Sequence, residues 1–155
     1  ASMPQDKKLI GVIYTKDLQT NKWSYEVYPV AISNLTRGKD RFVAMSESTA
    51  LVLVDGEDEW RSYAMSGTSF SISYGLHDQY IGISRMQKSA NGMNWDSFEP
   101  TEKELKFTTS LACHASSCIS VSDNYQMVLT HDGEHFISVK FSYENPKPHW
   151  WRRFI

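Results

Sequence analysis

The residues best suited to chemistry lie in one short segment, in which Cys113 and Cys118 are separated by four residues. They are the two cysteines of the sequence, so each is the only partner that the chain offers the other. A bond between them predicts a small clamped loop and an oxidising compartment. The enclosed residues are His114, Ala115, Ser116 and Ser117. Such a loop loses little freedom on docking, which favours a role as a polar plug for another protein's cleft. The alternative is a bridge that merely fixes a strand connection.

The same cysteines belong to a second pattern. Cys113, Cys118, His131 and His135 have the spacing of a zinc finger with two cysteines and two histidines. In such a finger both histidines lie on one helix, but Asp132 and Gly133 stand between them and favour a turn. The expected aromatic after the second cysteine is replaced by Ser122. We therefore expect no metal and no other cofactor.

Other combinations of reactive residues give weaker indications of catalysis or metal binding. Cys113 and His114 are adjacent, and adjacent strand side chains point to opposite faces, which disfavours a nucleophile and base pair. The carboxylates clustered at residues 55–59 are typical of a solvated turn, with a loose calcium site as the alternative. We expect no enzyme activity.

Length and charge restrict the classes of protein to which the chain can belong. A chain of 155 residues suits one domain, which we expect to be a single β domain over residues 1–155. The formal net charge of -2 disfavours nucleic acid, although residues 150–154 interleave aromatics with arginines as stacking platforms do. No apolar run approaches the length of a spanning helix, so we expect no membrane span. The small residues at the start are consistent with a mature chain after signal removal or with a tag remnant.

Strand-like patterns dominate the chain. Period-two or wholly apolar runs predict strands at residues 9–14, 23–32, 41–45, 50–54, 70–74, 80–85, 125–130 and 136–142. One short helix is predicted near residues 100–105. Asp-Gly or Asn-Gly turns stand at residues 55, 91 and 132, and they favour tight hairpins with positive φ at glycine. The pattern predicts antiparallel all-β structure.

The three turns form a repeat. Residues 54–60, 89–95 and 130–136 each place an aromatic three or four residues after the glycine, and the glycines are 36 and 41 residues apart. Residues 20–23 are a candidate degenerate first copy. This period is that of propeller blades, and four such units predict a minimal or incomplete β-propeller. Three unrelated hairpins that use common turn dipeptides are the alternative.

The segment 89–95 resembles the Asp-box hairpin of sialidase-like propellers, in which Ser or Thr, Asp, Gly and an aromatic recur in each blade. In that family the box is a structural turn, so the resemblance implies blade architecture rather than catalysis.

The cysteine loop resembles the disulfide-clamped, histidine-containing loop that periplasmic lysozyme inhibitors insert into the enzyme's cleft. In length, β-rich composition and serine-bearing loops, the whole chain is similar to periplasmic immunity proteins of type VI secretion effectors that are peptidoglycan amidases. This resemblance implies a toxin-immunity complex in which an inserted loop occludes the Cys-His active site of the amidase.

The resulting expectation is a periplasmic inhibitor that inserts His114, Ala115, Ser116 and Ser117. A second candidate for the inserting loop is the hairpin tip formed by Ser89, Ala90, Asn91, Gly92 and Met93. The alternative function is a propeller-like module that binds carbohydrate or cell wall by stacking exposed tryptophans on sugar rings.

Overall fold

The structure is a computed structural model that describes residues 10–46, 48–67, 69–84, 86–99, 108–122 and 127–139. These residues form fourteen strands and a 3-10 turn at Leu76–Asp78. The strands are β1 (Gly11–Lys16), β2 (Trp23–Tyr28), β3 (Asn34–Arg37), β4 (Arg41–Ser46), β5 (Thr49–Val54), β6 (Arg61–Ala64), β7 (Ser69–Tyr74), β8 (Tyr80–Ser84), β9 (Gln87–Ser89), β10 (Asp96–Ser97), β11 (Thr108–His114), β12 (Ser117–Ser122), β13 (Met127–Thr130) and β14 (Ile137–Val139).

The strands are grouped in chain order. β1 and β2 form a two-stranded hairpin, followed by three antiparallel sheets of four strands each. The first sheet contains β3 to β6, the second β7 to β10 and the third β11 to β14. Every sheet is a meander, because each strand pairs with the next one along the chain. The predicted all-β, propeller-like class is therefore confirmed.

Buried side chains hold the sheets face to face. The cluster between the hairpin and the first sheet contains Ile13, Ala44 and Leu51, with Trp60 packed against it. The cluster between the first and second sheets contains Val43, Met45, Ala50, Val52, Met65, Ile72, Tyr80 and Trp95. The cluster between the second and third sheets contains Leu76, Ile81, Ile83, Met86, Leu111, Cys118, Val128 and Phe136. Adjacent residues of one strand enter different clusters, as Val43 and Ala44 do, because strand side chains alternate between faces.

The repeated turns occupy the same place in every sheet. Residues 54–60, 89–95 and 130–136, which we call the box turns, each connect the third and fourth strands. Their glycines have positive φ, of 82° at Gly56, 72° at Gly92 and 81° at Gly133. The predicted repeat and the positive φ of its glycines are confirmed, but the predicted tight hairpins are wrong, because six residues separate the third and fourth strands in each of these sheets. The candidate first copy is the turn between β1 and β2, where Asn21 has φ of 58°.

The connections between first and second strands lie at the same end of the sheets as the box turns, because alternate connections of a meander share an end. Arg41, which begins β4, donates to the carbonyl of Asn91 in the box turn of the second sheet. The N–H of His77, between β7 and β8, donates to Ala115 O, between β11 and β12. We call this side of the molecule the turn end.

The strand predictions hold where apolar residues are dense. The predicted strand at 23–32 is too long, since β2 ends at Tyr28 and residues 29–33 connect to β3. Six strands were not predicted: β3, β6, β9, β10, β11 and β12. The predicted helix near 100–105 and the aromatic-arginine segment at 150–154 lie outside the described residues. In the part of the chain that the structure describes, no helix is long and apolar enough to cross a membrane.

Candidate partner-binding site

The cysteine loop is the end of the β11–β12 hairpin. Cys113 and Cys118 are directly opposite each other in the ladder and form a disulfide, which confirms the predicted bridge. The strands continue past the cysteines to His114 and Ser117, which also form a pair. The prediction of a four-residue tip is therefore wrong: the turn consists of Ala115 and Ser116. The turn is shorter than predicted because His114 and Ser117 continue the strand ladder despite the low strand preference of these residue types.

The backbone of this turn is fixed by two neighbouring turns. Ala115 O accepts from the His77 N–H at 3.3 Å, and Ser116 O accepts from the His131 ring nitrogen Nδ1 at 3.1 Å. The His77 ring nitrogen Nε2 donates in turn to His131 O at 3.1 Å. Because the carbonyls are acceptors, the hydrogen-bonded nitrogen of each ring carries the proton. One main-chain bond and two bonds from histidine rings to main-chain carbonyls thus join the three turns.

The side chains at the tip remain available. His114, Ala115 and Ser116 are exposed, whereas Ser117 is half-buried. Cys118 is buried in the cluster between the second and third sheets, so the bridge connects the exposed tip to the core. The arrangement presents an imidazole and a hydroxyl on a backbone that is already ordered, and this lowers the entropy lost when a partner binds.

The turn beside the tip has an uncommon backbone conformation. His77 and Asp78 have φ of 50° and 57°, in the left-handed region that residues other than glycine rarely adopt. The Tyr74 hydroxyl donates to the Asp78 carboxylate at 3.3 Å. Gly75 lies directly against the tip, where a Cβ would stand 3.0 Å from the carbonyl oxygen of Cys113. Its φ of 150° is a conformation that other residues rarely adopt, so the backbone and the close approach both favour glycine at position 75.

The second candidate loop is packed against its own chain. Ser89 and Gly92 are buried, and Met93 packs on the cluster between the first and second sheets. Ala90 is exposed and Asn91 is half-buried, with its carbonyl bound by Arg41. The expectation that Met93 contacts a partner is not supported by this packing, because the side chain already has an apolar environment.

The box turns of the second and third sheets share one hydrogen-bond pattern. Ser89 Oγ accepts from the N–H groups of Asn91 and Gly92, and Asn91 Oδ1 accepts from those of Met93 and Asn94. In the third sheet, Thr130 and Asp132 accept the corresponding four bonds. The backbone N–H groups of His135 and Glu134 hold the pKa of Asp132 far below its usual range, since they bind the charged carboxylate.

The side chains considered for metal binding form other bonds. Both sulfurs of the zinc-finger pattern are in the disulfide, and a bridged sulfur is not a thiolate ligand. Asp55 forms a bidentate ion pair with Arg37, and Glu57 bonds to Arg61 at 3.1 Å. Among the described residues no cluster of His, Cys, Asp or Glu has the arrangement of a metal site.

Sequence reasoning missed two residues of this site. His77 and His131 belong to different sheets, and their contacts join positions 54 and 15 residues apart. The zinc-finger spacing grouped His131 with the two cysteines without indicating its hydrogen bond to the turn, and no local pattern links His77 to the cysteine loop. His131 lies beside the tip because its box turn and the β11–β12 turn share one end of the third sheet, and His77 lies there because the second sheet stacks on the third.

Two apolar cavities lie elsewhere, between β1 and residues of the first sheet. They measure about 340 Å³ and 290 Å³. Their shared lining is Ile13, Tyr14 and Leu35. Neither cavity is lined by residues of the disulfide tip.

Comparison with known proteins identifies the class of fold. No protein-family model and no curated protein matches the chain. Solved structures do match: YCF48 from Cyanidioschyzon merolae has a TM-score of 0.60 and 13% identity over 80% of this chain and 48% of its own. AztD from Citrobacter koseri has a TM-score of 0.51 and 11% identity over 96% of this chain and 48% of its own.

A third match is YCF48 bound to a D1 peptide, with a TM-score of 0.56 and 14% identity over 76% of this chain and 43% of its own. These neighbours are β-propeller-like proteins, so the chain has a β-propeller-like fold. It spans about half the length of YCF48 and AztD. At these identities the similarity shows the fold alone.

Proposed function

We propose that this protein binds another protein through its turn end and acts as an inhibitor, without chemistry of its own. The observation that carries the proposal is the disulfide-braced tip, whose backbone is fixed by His77 and His131 while His114 and Ser116 remain exposed. A fixed backbone with free polar side chains suits recognition, because little order has to be imposed on binding.

The proposed partner is a peptidoglycan amidase of the type VI secretion effectors, and the proposed role is that of its periplasmic immunity protein. In this mechanism the tip enters the active-site groove and excludes the substrate sterically. His114 and Ser116 offer hydrogen bonds to polar groups there, including the catalytic histidine. The disulfide supports an oxidising compartment such as the periplasm.

A two-residue turn is too small to form the whole contact. A specific interface hides about 800 Å² on each partner. Exposed groups next to the tip extend the surface: His77, Asp78, His131 and Asp132. We therefore propose that the second and third sheets contribute their turns together.

One structural neighbour supports protein binding as a class of function. In that structure YCF48 is bound to a D1 peptide. A propeller-like fold is thus compatible with binding a polypeptide, although this similarity does not identify the partner of the present chain.

Titration calorimetry against a panel of purified cell-wall amidases, with an assay of peptidoglycan hydrolysis, tests the proposal. We expect Ser116→Tyr to weaken binding by about 30-fold or more, the loss typical of an interface hot spot. Ser62→Tyr, at an exposed site on β6, is the matched control and should bind as the wild type does. Loss of binding in Ala90→Tyr instead would assign the contact to the second candidate loop.

The proposal fails if no amidase of the panel is bound or inhibited. Retained inhibition by Ser116→Tyr would exclude the disulfide tip as the inserting element, even if an amidase is bound.

A carbohydrate-binding function is the second candidate, because the hairpin exposes Tyr14, Trp23 and Tyr25 on one face. The rings of Tyr14 and Tyr25 are 6.0 Å apart and could present a platform for sugars. Saturable binding of peptidoglycan fragments that is lost in Tyr25→Ala and retained in Ser116→Tyr would favour this function.

A further inference from the structure

Equivalent strand positions face the following sheet throughout the stack. The positions five and three residues before the Asp or Asn of each box turn lie on the third strand, except Met86, which directly precedes it. In the first sheet they are Ala50 and Val52, which are buried against the second sheet. In the second sheet they are Met86, buried against the third sheet, and Lys88, which forms an ion pair at 3.1 Å with Glu134 of that sheet.

In the third sheet the same positions are Met127 and Leu129. Both are partly exposed, and neither belongs to an apolar cluster of the described residues. Val139 shares their face, because it pairs directly with Met127. The third sheet is the last one that the structure describes, and it presents an apolar face that no described sheet covers. We call Met127, Leu129 and Val139 the tail face.

At the opposite end of the described stack, the aromatic of the hairpin has no described sheet on which to pack. The aromatic after each box turn packs on the preceding sheet: Trp60 on the hairpin, Trp95 on the first sheet and Phe136 on the second. Trp23 has this place in the hairpin, at the start of β2, and is 66% exposed. No sheet precedes the hairpin in the described part of the chain.

Trp23 belongs to a larger apolar face. Val12 pairs with Val27, Tyr14 with Tyr25 and Lys16 with Trp23, so these side chains lie on one side of the hairpin. The apolar residues among them are 37–67% exposed. We call Trp23, Tyr25 and Val27 the head face. A contiguous apolar face of this kind marks an interaction site.

We propose that a second copy of this chain covers both faces, in a closed head-to-tail pair. Trp23 of each copy packs on Met127 and Leu129 of the other, as Trp95 packs on the first sheet within the chain. Among the described residues no sheet covers the head face or the tail face, and two copies related by a two-fold axis leave neither face open.

Two further observations favour a second copy of the chain as the partner of these faces. The two faces have the same positions in their sheets as the faces that pack on each other within the chain, so a second copy continues the packing between neighbouring sheets. Both faces are largely uncharged, with Lys16 as the charged residue of the head side, and their contact therefore removes little charge from water.

Analytical ultracentrifugation of the full 155-residue chain, from about 1 to 100 µM, tests the pairing by mass action. We expect a species of twice the mass of one chain at the upper concentrations. Trp23→Lys and Leu129→Glu should each sediment as monomers, because each change places a charge in both contacts of the pair. Trp23 is exposed, so the first variant is expected to fold, and its circular dichroism verifies this.

Mixing the two variants distinguishes the proposed geometry from other dimers. A mixed pair has one unchanged contact and one in which the introduced lysine faces the introduced glutamate, so we expect the dimer to return. Leu18→Lys, at an 86% exposed turn position outside both faces, is the control and should remain dimeric.

Three results would overturn the proposal. A wild-type monomer at every concentration would mean that something other than a second copy covers the faces. Dissociation by Trp23→Lys but not by Leu129→Glu would indicate a head-to-head dimer. Failure of the mixed variants to associate would exclude the head-to-tail contact. None of these measurements depends on amidase binding, so they test the pairing separately from the proposed function.

Discussion

At the scale of single residues, Asn91 and Asp132 perform the same task with different charge. Each accepts two backbone N–H groups at the same place of a box turn, at 2.7–3.0 Å. Only Asp132 titrates, and its pKa in the folded protein lies far below the usual range because the N–H groups of His135 and Glu134 bind the anion. Its hydrogen bonds are charge-assisted, whereas those of Asn91 are neutral.

The lowered pKa of Asp132 predicts acid sensitivity of its turn. A depressed folded pKa contributes stability above the unfolded value of about 3.9 and loses that contribution as the pH falls below it. We expect the melting temperature of Asp132→Asn to lie below that of the wild type at pH 6, and the difference to shrink between pH 4 and pH 2 as the wild-type carboxylate is protonated. Thermal unfolding across this range measures the difference.

The reciprocal variant is the control for this prediction. The melting temperature of Asn91→Asp should show an additional decline in acid, because the turn of the second sheet then also contains a titrating carboxylate. Identical pH profiles of the wild type and both variants would show that the charge on these turns does not contribute to stability.

At the scale of elements, the β11–β12 hairpin shows why its limits were hard to predict. Its sequence is rich in serine, threonine and small residues, yet Ser120 is buried and its hydroxyl donates to Ser110 O at 2.8 Å. The Cys113 N–H also donates to Ser73 Oγ on β7, at 2.9 Å. Polar residues can occupy these strands because neighbouring strands satisfy their hydrogen bonds.

Removal of the disulfide should loosen this hairpin without abolishing the fold. The bridge encloses few residues, so we expect Cys113→Ala with Cys118→Ala to lower the free energy of unfolding by about 2 kcal/mol. Urea denaturation with and without reductant measures it. The reductant should destabilise the wild type and leave the double variant unchanged; an effect on both would indicate a cause other than the bridge.

At the scale of the whole molecule, stability comes from packing between sheets. A single hairpin or sheet leaves its apolar residues in water, and the stack buries them on both faces of the inner sheets. The aromatic of each box turn connects its sheet to the preceding one. Trp95 is 8% exposed and also donates from Nε1 to Gly92 O at 2.9 Å, whereas Trp23 is largely exposed.

The stack predicts unequal effects at equivalent tryptophans. We expect Trp95→Ala to lower the free energy of unfolding by about 3–5 kcal/mol, since it removes a large buried side chain. Trp23→Ala should change it by less than about 0.5 kcal/mol at low protein concentration, as surface substitutions do. Urea denaturation compares them, with Phe136→Ala expected to resemble Trp95→Ala. Equal losses at positions 23 and 95 would contradict the stacking order.

The sequence by itself determined the all-β class, the box-turn repeat and the identity of the bridged cysteines. These features depend on local chemistry: alternating strand residues, glycines that accept positive φ, and a single possible cysteine partner. Tertiary structure alone placed His77 beside the disulfide tip, bonded the His131 ring to Ser116 O, packed Met93 against the core and left Trp23 exposed. Such outcomes depend on which sheet lies against which, and contacts between residues far apart in the chain leave no local pattern from which to predict them.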